Sequence, residues 1–213
     1  FYVYTYRGIT PQYLDRKITL TLSCDGLDDV TYTASAADYL TEQTGSTDVG
    51  ALATALLNYG AAAQDYTGLG VTVGSLDLAA PTVKVAYPMA LTGTKSDNVS
   101  FLSAGLILSN DVKMYFNVST SLTNPTVRIG GTTTDNFTFD GERVVVSLSA
   151  GQLFDEVTVN FSDGQAAHYS VAQYTAKKSG DGSKLAYLTE RLYVYADAVH
   201  AFVGNRHYPV FAN

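Results

Sequence analysis

The chain has no tryptophan, one cysteine, two methionines and three histidines. A lone cysteine, Cys24, excludes an intramolecular disulfide and is a poor nucleus for a metal site. Positive charge is also scarce: 13 Lys and Arg stand against 20 Asp and Glu, a net charge of -7. Nucleic-acid binding relies on positive surface that displaces counterions from phosphates, so this balance speaks against it. No apolar run is long enough to span a bilayer, and membrane insertion is not expected. No stretch has the pattern of a cleavable signal; the chain opens at Phe1 inside a strand-like pattern and reads as a segment of a longer protein. Low cysteine usage fits a cytoplasmic protein and a disulfide-free bacterial surface protein equally well.

What is present describes a folded, β-rich chain. Of its 213 residues, 46% are hydrophobic and 15% charged, the balance of a globule of one large or two small domains. Sixteen tyrosines and long stretches rich in threonine, valine and serine favour strands.

Laid on itself with a shift of 139, the sequence repeats. Leu14, Ile18, Leu20 and Leu22 fall on Leu153, Val157, Val159 and Phe161. Each run is followed by a turn signal, Asp25-Gly26 or Asp163-Gly164, and by a second short strand ending near Tyr32-Thr33 or Tyr169-Ser170, which predicts a hairpin in each copy. Further on, Leu52 to Gly68 aligns without a gap on Leu188 to Gly204. Val49, Leu52, Leu56, Tyr59, Ala63 and Tyr66 step by three and four residues, as do Leu185, Leu188, Leu192, Tyr195, Val199 and Phe202. Such spacing predicts helices over 49–67 and 184–203, each with one apolar stripe against a sheet. Gly68 and Gly204 stand where a left-handed cap would end each helix, and Ser183 where an N-cap would open the second.

The second copy carries strands that the first lacks: Thr82–Tyr87, Val99–Leu108, Val112–Val118, Thr126–Ile129, Asn136–Phe139 and Arg143–Leu148. The expected fold class is α+β, mainly antiparallel β in Ig-like or Greek-key sandwich layers, with one C-terminal amphipathic helix per repeat. The expected organisation is a truncated copy over 1–70, a linker or connecting strand over 71–81, a complete copy over 82–205 and a tail over 206–213.

At Ala55-Leu56-Leu57-Asn58-Tyr59-Gly60-Ala61-Ala62-Ala63-Gln64-Asp65-Tyr66 the sequence resembles a β-sandwich-plus-helix repeat module of large secreted or wall-attached proteins of Gram-positive gut bacteria. Tyr6-Arg7-Gly8-Ile9-Thr10-Pro11 followed by Ile18-Thr19-Leu20 is similar to the approach in that module. In the second copy, Arg191-Leu192-Tyr193-Val194-Tyr195-Ala196-Asp197-Ala198 keeps only the skeleton. The resemblance implies an extracellular or cell-wall location and an accessory role; it carries no functional residue across.

Catalytic chemistry finds no footing. His168 stands just before a strand, His200 lies at a helix edge and His207 in the tail, and none has the helical spacing of a zinc pair. Gly-x-Ser-x-Gly is absent, and Cys24 has no basic neighbour to make it a thiolate. Asp25, Asp28 and Asp29 lack the ligand spacing of a calcium loop, and Gly130-Gly131 precedes no helix that would cradle a phosphate. No enzyme, metal or cofactor is expected.

Two surfaces remain for a ligand. Tyr2, Tyr4 and Tyr6 share one strand face, and tyrosine supplies contact area and a hydroxyl at low entropic cost. Lys113, Tyr115 and Asn117 share the polar face of another strand, with Arg128 and Arg143 on neighbouring ones. The expected function is a non-catalytic, extracellular binding or adhesion module with a protein ligand, host immunoglobulin among the candidates. The alternatives are a carbohydrate-binding module, weakened by the absence of tryptophan for sugar stacking, and a structural spacer.

Overall fold

The computed structural model describes residues 5, 7–74, 90–92, 99–109, 111–120 and 124–204. The chain divides into two compact units, Phe1–Ala79 and Ala80–Asn213. The fold is α+β, and among the described residues every strand pairing is antiparallel.

In the first unit a 3-10 turn over Pro11–Tyr13 leads into β1 (Ile18–Leu22) and β2 (Val30–Ala34), which form a two-stranded sheet. Two helices follow, α1 (Ala36–Gln43) and α2 (Gly50–Thr67). The sequence spacing predicts one helix here; the short α1 arises from its cap. Ser35 Oγ accepts from the Asp38 amide while the Asp38 carboxylate accepts from the Ser35 amide, a reciprocal box that satisfies donors at the helix start. Gly68, at φ 75°, ends α2 in the left-handed conformation expected of it.

The buried side of α2 is not the expected stripe. Tyr66 is 45% exposed, and Val49, Leu52 and Leu56 are only half-buried, although Tyr59 and Ala63 are buried. Burial centres instead on Ala53, Leu57, Gly60, Ala61 and Gln64. The cause is side-chain size: small residues on that flank let backbone approach closely, and close approach buries a face more completely than long side chains do. A Cβ on Gly60 would lie 2.9 Å from the Pro11 carbonyl oxygen and 2.7 Å from Leu14 Cδ1. Leu14, Leu57 and Val73 form the core of this unit, with Ile9, Leu40 and Leu56 packed against it. Residues 71–74 of the expected linker therefore belong to the first unit; the rest of that linker and the strand expected over 82–87 lie outside the described residues.

The second unit holds β3 (Ala90–Thr92), β4 (Val99–Leu108), β5 (Val112–Thr120), β6 (Thr126–Ile129), β7 (Thr132–Thr134), β8 (Phe137–Phe139) and β9 (Arg143–Leu148). A 3-10 turn over Ala150–Gln152 then leads into β10 (Val157–Asn160), β11 (Ala166–Tyr169), α3 (Val171–Lys178) and α4 (Lys184–Gly204). One sheet has the order β3-β11-β10-β6-β7, the other β4-β5-β9-β8. Met114, Phe116, Val118, Val144 and Val146 are each at most 1% exposed, as are Val157 and Val159 of the other sheet. Phe116 meets Tyr169 edge to face across the sheets at 6.4 Å. Complete burial of such a side chain contributes roughly 1.5–3 kcal/mol, so these strands are a main source of the unit's stability.

Here too a short helix, α3, precedes the long one where a single helix is expected, and Ser170 Oγ accepts from the Gln173 amide at its start. Ser183 Oγ accepts from the Ala186 amide, as its N-cap position predicts. Gly204 lies within α4 rather than beyond it. Both units thus end in the same order: 3-10 turn, strand, strand, short helix, long helix. Ile18 pairs with Ala34 and Val157 with Tyr169, so Ser35 corresponds to Ser170 and the hairpin loop of the first unit is longer.

Candidate ligand-binding face

The side of β5 facing away from Met114, Phe116 and Val118 carries Lys113, Tyr115 and Asn117, all part-exposed. Antiparallel pairing extends this face over three strands. Asn117 lies opposite Ser103 and Arg143, Tyr115 opposite Gly105 and Val145, Lys113 opposite Ile107 and Ser147. Directly opposed residues have side chains on one face, so the register brings Arg143 beside Asn117 and Tyr115.

A polar relay crosses the sheet. The Arg143 Nε donates to Asn117 Oδ1 at 2.7 Å, and Asn117 Nδ2 donates to Ser103 Oγ at 2.7 Å. The Arg143 guanidinium carbon sits 5.3 Å from the centre of the Tyr115 ring, a cation–π contact of about 0.5–1 kcal/mol at an exposed site. Tyr115 in turn lies over Gly105, where a Cβ would come within 2.6 Å of the phenolic oxygen. With Nε engaged and one plane covered by the ring, the terminal amines are the part of the guanidinium left for an incoming acceptor.

Arg143 opens β9 directly after the β8–β9 turn, and that turn is fixed by Asp140. Its carboxylate accepts from the Glu142 amide at 2.9 Å and the Arg143 amide at 2.7 Å. Those amides hold the Asp140 carboxyl below its ordinary pKa, with the Arg143 charge a smaller contribution. Gly141, at φ 99°, supplies the positive dihedral that the turn requires. Between this turn and the ends of β4 and β5 lies a groove of about 520 Å³, lined by Asn117, Asp140, Glu142, Arg143 and Leu102. The register of β4 against β5 shifts between Phe101 and Ser103, so Leu102 occupies a bulge and is 67% exposed. The groove therefore combines a fixed cation, two carboxylates and one exposed apolar side chain.

The remaining sequence candidates lie elsewhere. Tyr2, Tyr4 and Tyr6 fall outside the described residues. Arg128 is in β6 of the other sheet, and its Nε donates to the Gly131 carbonyl at 2.8 Å, closing the β6–β7 turn. Lys113 shares the face but is two rows from the groove.

Sequence reasoning missed a network around His168, which lies in β11. The His168 Nδ1 is 2.9 Å from Glu156 Oε1 and 3.2 Å from Thr158 Oγ1, and its Nε2 is 2.7 Å from Thr92 Oγ1. Both ring nitrogens are engaged, and the contacts tie β3 to β11 and β10. His200 stacks on Phe154 with ring centres 4.6 Å apart. Among the described residues no group of three or more His, Cys, Asp or Glu is placed to hold a metal ion, and no helix is long and apolar enough to cross a membrane. Comparison of the chain with protein-family models, curated proteins and solved structures returns no match.

Proposed function

We propose that this chain is a non-catalytic, extracellular binding module that takes a protein ligand on the face built by Tyr115, Asn117 and Arg143 and in the groove beside them. The observation that carries this reading is the immobilised Arg143, tied through Nε to Asn117 and stacked on Tyr115. An arginine fixed in advance loses little rotamer freedom on binding, and its free amines suit backbone carbonyls or carboxylates of a protein surface. Leu102 adds apolar contact at the rim of the groove. The ring that a bound sugar would need is Tyr115, and Arg143 already occupies one of its faces, which favours a protein over a glycan.

In the same reading the second unit is a sandwich of the Ig-like or Greek-key kind, and the first unit is a partial copy of it. The shared order of elements and the equivalence of Leu14 to Leu153, both about 5% exposed or less, support the copy relation. The module is then one of the secreted or wall-attached type that the Leu56–Gln64 segment resembles.

The test is binding of the purified chain to immunoglobulin and to fractionated host secretions, run beside a glycan array. Arg143→Ala and Tyr115→Ala are expected to weaken protein binding about tenfold or more, as loss of a central anchor does. Arg128→Ala, on the other sheet, serves as control and leaves binding intact. Binding unaffected by all three changes refutes the site; glycan binding alone refutes the protein-ligand reading; silence in both arms favours a spacer.

A further inference from the structure

The groove beside Arg143 is lined by three charged side chains within four consecutive residues, and none neutralises another. Asp140 and Glu142 stand on either side of Gly141, directly ahead of Arg143, and all three charged residues are exposed. A guanidinium so near two carboxylates ordinarily closes on one of them, since its fork matches a carboxylate. Among the described residues, however, the salt bridges are Lys17–Asp38 and His168–Glu156, and Arg143 takes part in none. Each of the three is held by something else. Arg143 gives its Nε to Asn117 and lies against the Tyr115 ring. Asp140 Oδ1 accepts both turn amides, which is all the turn requires of it. The Glu142 carbonyl accepts from the Val118 amide at 2.8 Å, which ties that residue to the end of β5.

Charges kept apart in one groove select a ligand by sign. A carboxylate approaching the Arg143 amines would also meet Asp140 and Glu142, two negative charges against one positive. Like charges brought together at an interface are costly, and they reject partners more strongly than opposite charges attract them. A neutral backbone carbonyl reaches the same amines without that repulsion. A cationic side chain is drawn by both carboxylates, and the net charge of -7 on the whole chain steers it the same way. Lys and Arg also carry an apolar stem, which can lie along exposed hydrocarbon while the charge stays in water. Leu102, 67% exposed on its bulge, supplies such a surface in the lining of the groove.

We propose that the groove recognises a basic segment of its protein ligand, seating a Lys or Arg side chain beside Asp140 and Glu142 with its stem against Leu102, while a backbone carbonyl of the same segment accepts from the Arg143 amines. The proposal rests on the protein-ligand reading of this face and narrows it: acidic segments are turned away. Asp140 and Glu142 are then the residues that set specificity, and Arg143 is the one that orients the bound backbone.

The experiment titrates the 213-residue chain, labelled for amide NMR, with three capped pentapeptides. These are Gly-Lys-Val-Lys-Gly, the same peptide with both lysines Nε-acetylated, and Gly-Glu-Val-Glu-Gly. The lysine peptide is expected to shift the amides of Asp140, Glu142 and Arg143 saturably, and the other two to bind roughly fivefold more weakly or worse. Glu142→Gln and Asp140→Asn are each expected to weaken the lysine peptide about two- to fivefold, the range of one exposed charge pair. Asn keeps the side-chain oxygen that accepts the turn amides, so that change removes charge without opening the turn. Asp28→Asn, in the exposed β1–β2 loop, alters the net charge equally and is expected to leave the affinity as it was. The proposal is overturned if the lysine peptide shifts none of these amides, if the glutamate peptide binds as tightly, or if neither groove variant weakens binding. Equal weakening by Asp28→Asn overturns it too, by showing a general attraction of an acidic chain for bases. Its failure is distinct from failure of the site. If Arg143→Ala weakens binding of immunoglobulin or a secreted host protein while the groove ignores lysine, the protein-ligand reading stands without the basic segment; if Arg143→Ala has no effect there, both fall.

Discussion

Gly60 gives the sharpest test of how the first unit is held together. In an isolated helix, replacing an interior glycine by alanine stabilises by about 1 kcal/mol. At Gly60 the sign is expected to reverse. The new Cβ would sit 2.7 Å from Leu14 Cδ1, 2.9 Å from the Pro11 carbonyl oxygen and 3.3 Å from Val73 Cγ1. Leu14 can turn its methyl aside, but Pro11 offers backbone, so the 3-10 turn itself must retreat. Overpacking of this kind costs about 1–3 kcal/mol, which exceeds the propensity gain and leaves a net loss near 1 kcal/mol. If the first unit melts on its own, that is a drop of about 4–8 °C for a domain of its size. The reciprocal change lies in the second unit, where Ala196, 1% exposed, stands at the position of Gly60. Ala196→Gly forfeits both propensity and a buried methyl, a loss of roughly 1.5–2 kcal/mol. Urea unfolding followed by hydrogen exchange locates each loss in its own unit. A Gly60→Ala chain more stable than the parent would refute the close-packing account.

Gln64, 2% exposed, accepts from the Thr72 and Val73 amides and donates to Thr72 Oγ1 and the Gln12 carbonyl. Gln64→Leu strands the buried Val73 amide and is expected to destabilise the first unit by roughly 2–3 kcal/mol in urea titration. Ser35→Ala and Ser170→Ala each remove a helix cap and are expected to cost about 1 kcal/mol, read as faster exchange in α1 or α3. Gly105→Ala displaces Tyr115 and with it Arg143, so the proposed ligand is expected to bind several-fold more weakly while melting changes little; tight binding by this variant would separate Tyr115 from the site. The Lys17 ammonium beside Asp38, aided by the Ser35 bonds, lowers the Asp38 carboxyl from 3.8 to about 2. A carboxyl depressed on folding contributes stability that is fully present above its unfolded value and is lost as pH falls through its folded one. The parent's advantage over Asp38→Asn is therefore expected to shrink between pH 4 and 2, with no difference in slope above that window.

The alternation of Met114, Phe116 and Val118 with Lys113, Tyr115 and Asn117 was readable because a strand with one covered face imposes a period of two on its own residues. The turns at Gly26 and Gly164 were readable for a similarly local reason, since each has a φ that other residues resist. α1 and α3 span eight residues each, too few for a helical period to stand out from a strand's. Their true signal was the Ser-x-x-Asp and Ser-x-x-Gln spacing at Ser35 and Ser170, a capping pattern that hydrophobicity does not reveal. The Arg143–Asn117 bond depends on the register of β5 against β9, and the Tyr115–Gly105 contact on β4 lying next to β5. Neither follows from the strands taken singly. Arg128 has the same alternation as Arg143 and stands on another sheet, because sheet membership is a property of the fold and not of the segment.

The segment over Ala55–Tyr66, which carries the expected family resemblance, is a packing device. Gly60 admits the Pro11 carbonyl, Ala61, Ala62 and Ala63 are buried, and Gln64 gathers Thr72, Val73 and Gln12. Thr72 Oγ1 in turn donates to the Asp15 carboxylate. In the second unit His200 and Phe154, which the sequence alignment sets against Gln64 and Asp15, stack on each other. Both members of the contact differ together: hydrogen bonds join long helix and 3-10 segment in one unit, paired rings join them in the other. Either partner alone in the other's setting would lose its contact, Gln64 facing a phenyl ring or His200 a carboxylate bound elsewhere. The marker thus records how a helix is fastened to the turn before its hairpin. Under the proposed function, recognition falls instead to the strand face and groove at Arg143.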